Sequence, residues 1–194
     1  MSQEIASPRR RVVAASDGKN SLNASSLVLV AVLLAAGAVL KLTVGSLLAS
    51  MGMKPNFIIA MYCLAILLIR PRIAQAAVIG LLAGAICQIP MINATPLLNI
   101  PSELLGACVC GAMAMLPMKI AGKFDLNPFV SAFVSTIVSG SVFAVLSVYV
   151  NVVSTGGDMF AALAAYSVIV LGTAAFNAVF VQVMIVPLRS ILRK

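Results

Sequence analysis

Three stretches of this chain, residues 73–102, 126–157 and 159–188, contain no Asp, Glu, Lys or Arg. Apolar, uncharged runs of that length have no place in the core of a small soluble domain, but they match a hydrocarbon layer of ~30 Å, which takes about 20 helical residues to cross. The whole sequence agrees. Of 194 residues 62% are hydrophobic and 9% charged, against roughly a quarter charged in a typical soluble domain. Soluble enzymes, nucleic-acid-binding modules and secreted disulfide scaffolds are thereby excluded, and the chain reads as an all-α integral membrane protein. The net charge of +8 belongs to topology, since cytoplasmic loops collect Lys and Arg.

Uncharged stretches mark six transmembrane helices, at 26–48, 55–69, 73–92, 102–118, 127–152 and 158–188. The second lies between Lys54 and Arg70 and the fourth between Glu103 and Lys119, so both are short; the fifth and sixth are long. Residues 1–25, with Arg9, Arg10, Arg11 and Lys19 among Ser, Asn, Asp and Gly, read as a disordered basic cytoplasmic tail. A signal peptide also has a basic start and an apolar run, but here the apolar character persists far beyond Leu27, which favours a retained first helix. Residues 26–194 then form one membrane domain without an internal repeat.

Eleven of the thirteen cations fall on one side of this arrangement: Arg9, Arg10, Arg11, Lys19, Arg70, Arg72, Lys119, Lys123, Arg189, Arg193 and Lys194. That side is the cytoplasm, with both termini in it. Lys54 falls outside and Lys41 at or near the outer end of helix one. The outer connections then carry three isolated charges, Lys54, Glu103 and Asp158.

Catalytic chemistry is not assembled here. There is no His, no carboxylate pair within the helices and no Walker phosphate loop, so no triad, acid pair, metal site or cofactor site is expected. Cys63, Cys87, Cys108 and Cys110 lie in apolar segments and read as small buried hydrophobes. The Asn93–Ala94–Thr95 sequon is too common a motif to carry weight. Small residues recur at helix-packing spacing: Ala31, Ala35 and Ala38; Gly80 and Gly84; Ser131, Ser135 and Ser139. Packing within the chain accounts for such stripes in general, and helix one is the best candidate for docking a partner. Asn177, deep in helix six, is expected to bond a neighbouring helix.

The outer polar groups point to a ligand. Met53–Lys54–Pro55–Asn56 opens helix two and Gln88 ends helix three. The connection Asn93–Ala94–Thr95–Pro96–Leu97–Leu98–Asn99–Ile100–Pro101–Ser102–Glu103 leads into helix four as an ordered lid. Asn99, Ser102 and Glu103 suit helix capping. Lys54 does not, because the dipole disfavours a cation at a helix start, so it calls for an anion from the protein or a ligand. Lys54, Asn56, Gln88, Asn93, Asn99 and Glu103 are the candidate substrate-binding residues. Lys54 would take a carboxylate and Glu103 an ammonium, with Met61, Met91 and Leu97 lining an apolar slot. A direct Lys54–Glu103 ion pair is the plain structural alternative.

Six helices, the Ala31–x–x–x–Ala35 motif and a polar outer face resemble an S component, the substrate-binding subunit of an energy-coupling factor (ECF) transporter. Met53–Lys54–Pro55–Asn56, Ala77–Val78–Ile79–Gly80 and Ile137–Val138–Ser139–Gly140–Ser141–Val142–Phe143 resemble the tryptophan-transport branch, over most of residues 27–190. The stretch 88–103 departs from that branch's Gly-rich outer loop, and Asn56 stands where an Asp is expected. The resemblance implies a multi-pass protein of the bacterial plasma membrane that captures a small molecule from outside, with tryptophan or a related aromatic metabolite the first choice. It implies partners: a transmembrane coupling subunit docked on Ala31 and Ala35, and two ATPase subunits that drive uptake. An S component for a vitamin or other metabolite, a solitary carrier and a non-transporting scaffold are the alternatives.

Overall fold

The computed structural model describes residues 23–50, 55–89, 92, 95–120 and 124–192. Apart from one short β pair, the described chain is helical. Helix α1, Ala24–Leu42, starts where Asn23 Oδ1 accepts the Ser26 N–H at 2.8 Å. It is interrupted at Thr43, whose hydroxyl bonds back to the Val39 carbonyl at 2.8 Å, and continues as α2, Val44–Ser50. Together they form the first long apolar span.

Helix α3, Phe57–Ile69, is the centre of the bundle; eleven consecutive residues, Phe57–Leu67, are buried. Its 13 residues extend only about 20 Å at 1.5 Å per residue. Other helices sheathe it, so its length need not match the bilayer. Arg70 ends it in the left-handed conformation (φ 51°) with its N–H on the Ile66 carbonyl, and Pro71 blocks continuation. Helix α4, Ile73–Ile86, begins with the Arg72 N–H held by Gln75 Oε1 at 3.0 Å.

A single 3₁₀ turn, Pro96–Leu98, leads into α5, Asn99–Ala114. Gly80 and Gly84 let α5 lie directly on α4: a Cβ at Gly80 would stand 2.7 Å from the Glu103 carbonyl, and one at Gly84 2.9 Å from Ile100 Cα. The glycine pair is therefore internal packing. Strands β1, Lys119–Ile120, and β2, Phe124–Asp125, form an antiparallel pair before α6, Asn127–Asn151. After a 3₁₀ turn at Val153–Thr155, Asp158 Oδ1 accepts the N–H groups of Phe160 and Ala161 and so caps α7, Met159–Leu192.

Each expected segment contains helix among the described residues, the first as the two pieces α1 and α2, with shifted bounds. The third ends at Ile86 rather than 92, and the fourth starts at Asn99 rather than 102. On length and apolarity four stretches qualify as membrane spans: Ala24–Leu48, Pro96–Ala114, Asn127–Thr155 and Met159–Ile191. The two shorter apolar helices, α3 and α4, complete the bundle. The expected tail lies almost wholly outside the described residues.

Candidate functional site

Glu103 is the chemical centre of the described molecule. It was expected at the start of a helix on the outer side; instead α5 begins four residues earlier, and the carboxyl is buried, 1% exposed. Asn56, just before α3, donates from Nδ2 to Glu103 Oε1 at 3.0 Å. Ser139 on α6 donates to Oε2 at 3.2 Å. Lys41, in the last turn of α1, donates from Nζ to Asn56 Oδ1 at 3.3 Å, and its charge acts on Glu103 across that amide. A buried carboxylate without partners would carry a prohibitive desolvation cost, and these three supply the compensation.

The neighbourhood extends inward through Tyr62, fully buried on α3, whose hydroxyl is 3.3 Å from Ser135 Oγ. Ser135 also donates to the Gly106 carbonyl at 2.8 Å. Gly106 is obligatory here, since a Cβ would collide with the Tyr62 hydroxyl and stand 2.8 Å from Ser139 Cβ. The serine stripe of α6 thus faces the protein interior rather than a partner.

On the other side of Asn56 stands an aromatic group. Phe57 meets Phe176 and Phe180 edge-on at centroid distances of 5.5 and 5.8 Å, and the latter two stack at 6.1 Å. Asn177 donates from Nδ2 to the Asn56 carbonyl at 3.3 Å and to Thr136 Oγ1 at 3.2 Å. The expectation that it bonds neighbouring helices holds.

The remaining candidates divide. Gln88 donates to the Gly84 and Pro96 carbonyls, both at 2.8 Å, pinning the 3₁₀ turn to the end of α4. Asn99, buried, donates to the Thr95 and Pro96 carbonyls at 3.3 and 3.1 Å, and Ser102 to the Asn99 carbonyl. These groups fold the connection onto α5. Lys54, Asn93 and Met91 lie outside the described residues. The apolar slot of Met61 and Leu97 is not formed: Met61 packs under Gly37 of α1 in the core, whereas Leu97 is 72% exposed. The alternative of a Lys54–Glu103 ion pair involves a residue outside the described ones; among the described residues Glu103 is linked to Lys41 through the Asn56 amide. Cys63, Cys87 and Cys110 are buried, Cys108 half-buried, and all are free thiols.

Sequence reasoning noticed Lys41 only as a topological exception. Yet it is the single charge among residues 24–50, and that isolation was the available signal. Ser139 was visible only as packing, and Tyr62 gave none.

At the opposite end, Arg189 Nη1 bonds Asp125 Oδ2 at 2.9 Å, the one salt bridge among the described residues. Gln182 donates to the Asp125 carbonyl and accepts the Phe129 N–H. Partial burial pushes the Asp125 carboxyl up. The Arg189 hydrogen bond, the Asn127 N–H and the charges of Arg189 and Arg70 outweigh that effect and hold it below the usual carboxylate range.

The family model described as tryptophan transporter TrpP matches residues 23–193. The chain belongs to that family. The match takes in every helix of the bundle and all the residues gathered around Glu103, and the resemblance to the tryptophan-transport branch is borne out. The family and the membrane-length apolar helices make the chain a multi-pass transport protein of the cell membrane. No curated protein and no solved structure matches it.

Proposed function

We propose that this TrpP-family chain is the substrate-binding subunit of an ECF-type importer, and that it grips the zwitterion of tryptophan between Lys41 and Glu103. The observation that carries the reading is the polarity order of Asn56. Its amide turns an acceptor toward the Lys41 ammonium and a donor toward the Glu103 carboxylate. An α-amino acid presents that same pair: a carboxylate for Lys41 and an ammonium for Glu103. Binding exchanges a neutral amide for two full charges, and charge-assisted hydrogen bonds are the stronger kind. The Phe57, Phe176 and Phe180 rings beside Asn56 supply an aromatic surface for the indole. Lys54 and Asn93 remain candidates for the outer rim, while Gln88 and Asn99 shape the connection.

In this reading six helices cross the membrane with both termini in the cytoplasm, and the site opens outward. Ala31 and Ala35, exposed on α1, dock the transmembrane coupling subunit, and two ATPase subunits power release inside. The chain binds and carries; it is not an enzyme.

The test compares tryptophan, tryptamine and indole-3-propionate on the purified chain. The protein has no Trp, so indole emission reports ligand alone. Lys41→Met should weaken tryptophan far more than tryptamine, which lacks the carboxylate. Glu103→Gln should weaken tryptophan more than indole-3-propionate, which lacks the amine. Equal loss for all three ligands in both variants would make the two residues structural. Stabilisation of the wild-type chain by another metabolite, but not by tryptophan, would retire the substrate.

A further inference from the structure

Among the described residues, Asn177 Oδ1 is the one buried side-chain oxygen or nitrogen with no hydrogen-bond partner. Asn177 itself is fully buried. Its orientation is fixed by chemistry. The Asn56 carbonyl can only accept, so the amide must turn Nδ2 toward it. The second contact agrees, because the Thr136 hydroxyl donates to the Ala132 carbonyl at 2.7 Å and so offers Asn177 a lone pair. Flipping the amide would set two acceptors against each other. Oδ1 is therefore left facing away from both bonds without a donor, a state that buried amides rarely keep.

Asn177 shares its position with the candidate site. It is tied to the backbone of the residue whose side chain bridges Lys41 and Glu103, and it is flanked in sequence by Phe176 and, three residues on, by Phe180. A ligand held at Asn56 by its charged end and among these rings by its aromatic end brings its far edge toward α7. The one donor on that edge of an indole is its ring N–H. We propose that Asn177 Oδ1 accepts the indole N–H and is the residue by which this protein tells an indole from an aromatic ring system of equal size without a donor. The inference rests on the proposed function and adds to it the part of the substrate that is read.

Admitting the ring requires α7 to part slightly from the start of α3. At the start of α3 two aromatic edge contacts and one 3.3 Å hydrogen bond yield, the bond to Thr136 keeps the Asn177 amide in its orientation, and an indole replaces the ring contacts in kind while giving Oδ1 its missing donor. A donor-free ring would make the same apolar contacts and leave the oxygen orphaned. Rejection of a ligand that lacks the expected hydrogen-bonding group is a strong form of discrimination, because the protein's own buried group stays unpaired.

The test uses the full chain in detergent or lipid, titrated with tryptophan and with 3-(3-benzothienyl)alanine, in which sulfur replaces the ring N–H at nearly unchanged shape. The wild-type chain should bind tryptophan about ten-fold tighter or more. Asn177→Leu should bind the two ligands alike, by losing affinity for tryptophan while keeping that for the benzothienyl analogue. Equal binding of both ligands by the wild-type chain would overturn the inference, and needs no variant that folds. A uniform loss for both ligands in Asn177→Leu would overturn it too, as the mark of a structural amide. Equal wild-type binding leaves the tryptophan site standing, whereas wild-type binding of neither ligand removes that site and this inference with it.

Discussion

Asn56 donates to Glu103 Oε1 at 3.0 Å across 47 residues of sequence, while its own Oδ1 accepts from Lys41 at 3.3 Å. One neutral amide therefore stands between the cation and the anion. Replacing it with a side chain of similar size and no polar atoms removes the donor to Oε1, leaves the Ser139 bond to Oε2 and separates Glu103 from Lys41. Asn56→Leu is expected to lower stability by about 1–3 kcal/mol and to abolish tryptophan binding. Asn56→Asp should spare more of the fold but place a second carboxylate between Lys41 and Glu103, weakening tryptophan more than tryptamine. Thermal unfolding and ligand titration of the purified chain check both.

Gly106 sets how closely α5 and α6 hold Tyr62 between them. A methyl at this position runs into the Tyr62 hydroxyl, so Gly106→Ala should cost about 1–3 kcal/mol, the usual range for overpacking. Removing the hydroxyl makes room, and Tyr62→Phe added to Gly106→Ala should recover part of the loss. Additive losses in the double variant, read from melting temperatures, would show that Ser139 rather than Tyr62 is the obstacle.

Helix α1 has two different faces. Gly37 lies against Met61, with a built Cβ 3.0 Å from its Cγ, whereas Ala31, Ala35, Val28 and Val32 are exposed. Ala35→Trp should abolish uptake in cells and leave tryptophan binding by the isolated chain unchanged, because it enlarges a side chain that is exposed among the described residues. Gly37→Trp should instead damage the fold itself.

The Asp125–Arg189 pair has a pH signature. A carboxyl held below its ordinary value stabilises the folded state above that ordinary value, near 4, and the contribution disappears as pH falls through the depressed one. At pH 7 Arg189→Met should melt below the wild-type chain by an amount corresponding to about 1 kcal/mol or less, as befits a partly exposed pair. The difference should vanish in strong acid. A gap that persists below pH 3 would mean that Arg189 acts through packing rather than charge.

The cation distribution yields a topological expectation. A cysteine at Asp158 should react with impermeant thiol reagents added to intact cells, and one at Lys123 should not. Labelling at Lys123 from outside would refute six crossings with both termini inside.

The sequence by itself determined the solvent. Runs without charge at 73–102, 126–157 and 159–188 cannot be hydrated, so a helical membrane bundle follows from composition and length alone. The Gly80–Gly84 pair was legible because it acts on the nearest helix. The site was legible only in part. Glu103 and Asn56 stood out as polar groups in apolar surroundings, but their partners did not, since Lys41, Asn56, Glu103, Ser139 and Asn177 come from five helices or their ends and meet only in the bundle. In a mostly apolar helix, period and composition reveal too little of which face turns inward; α3, buried nearly all round, has no polar face to orient it. Which polar side chains find one another is decided by how the helices cross, and that is set by the close approaches at Gly37, Gly80, Gly84 and Gly106. Tertiary packing therefore turned a cation noticed only for its depth and a carboxylate placed at a helix start into the two ends of one network.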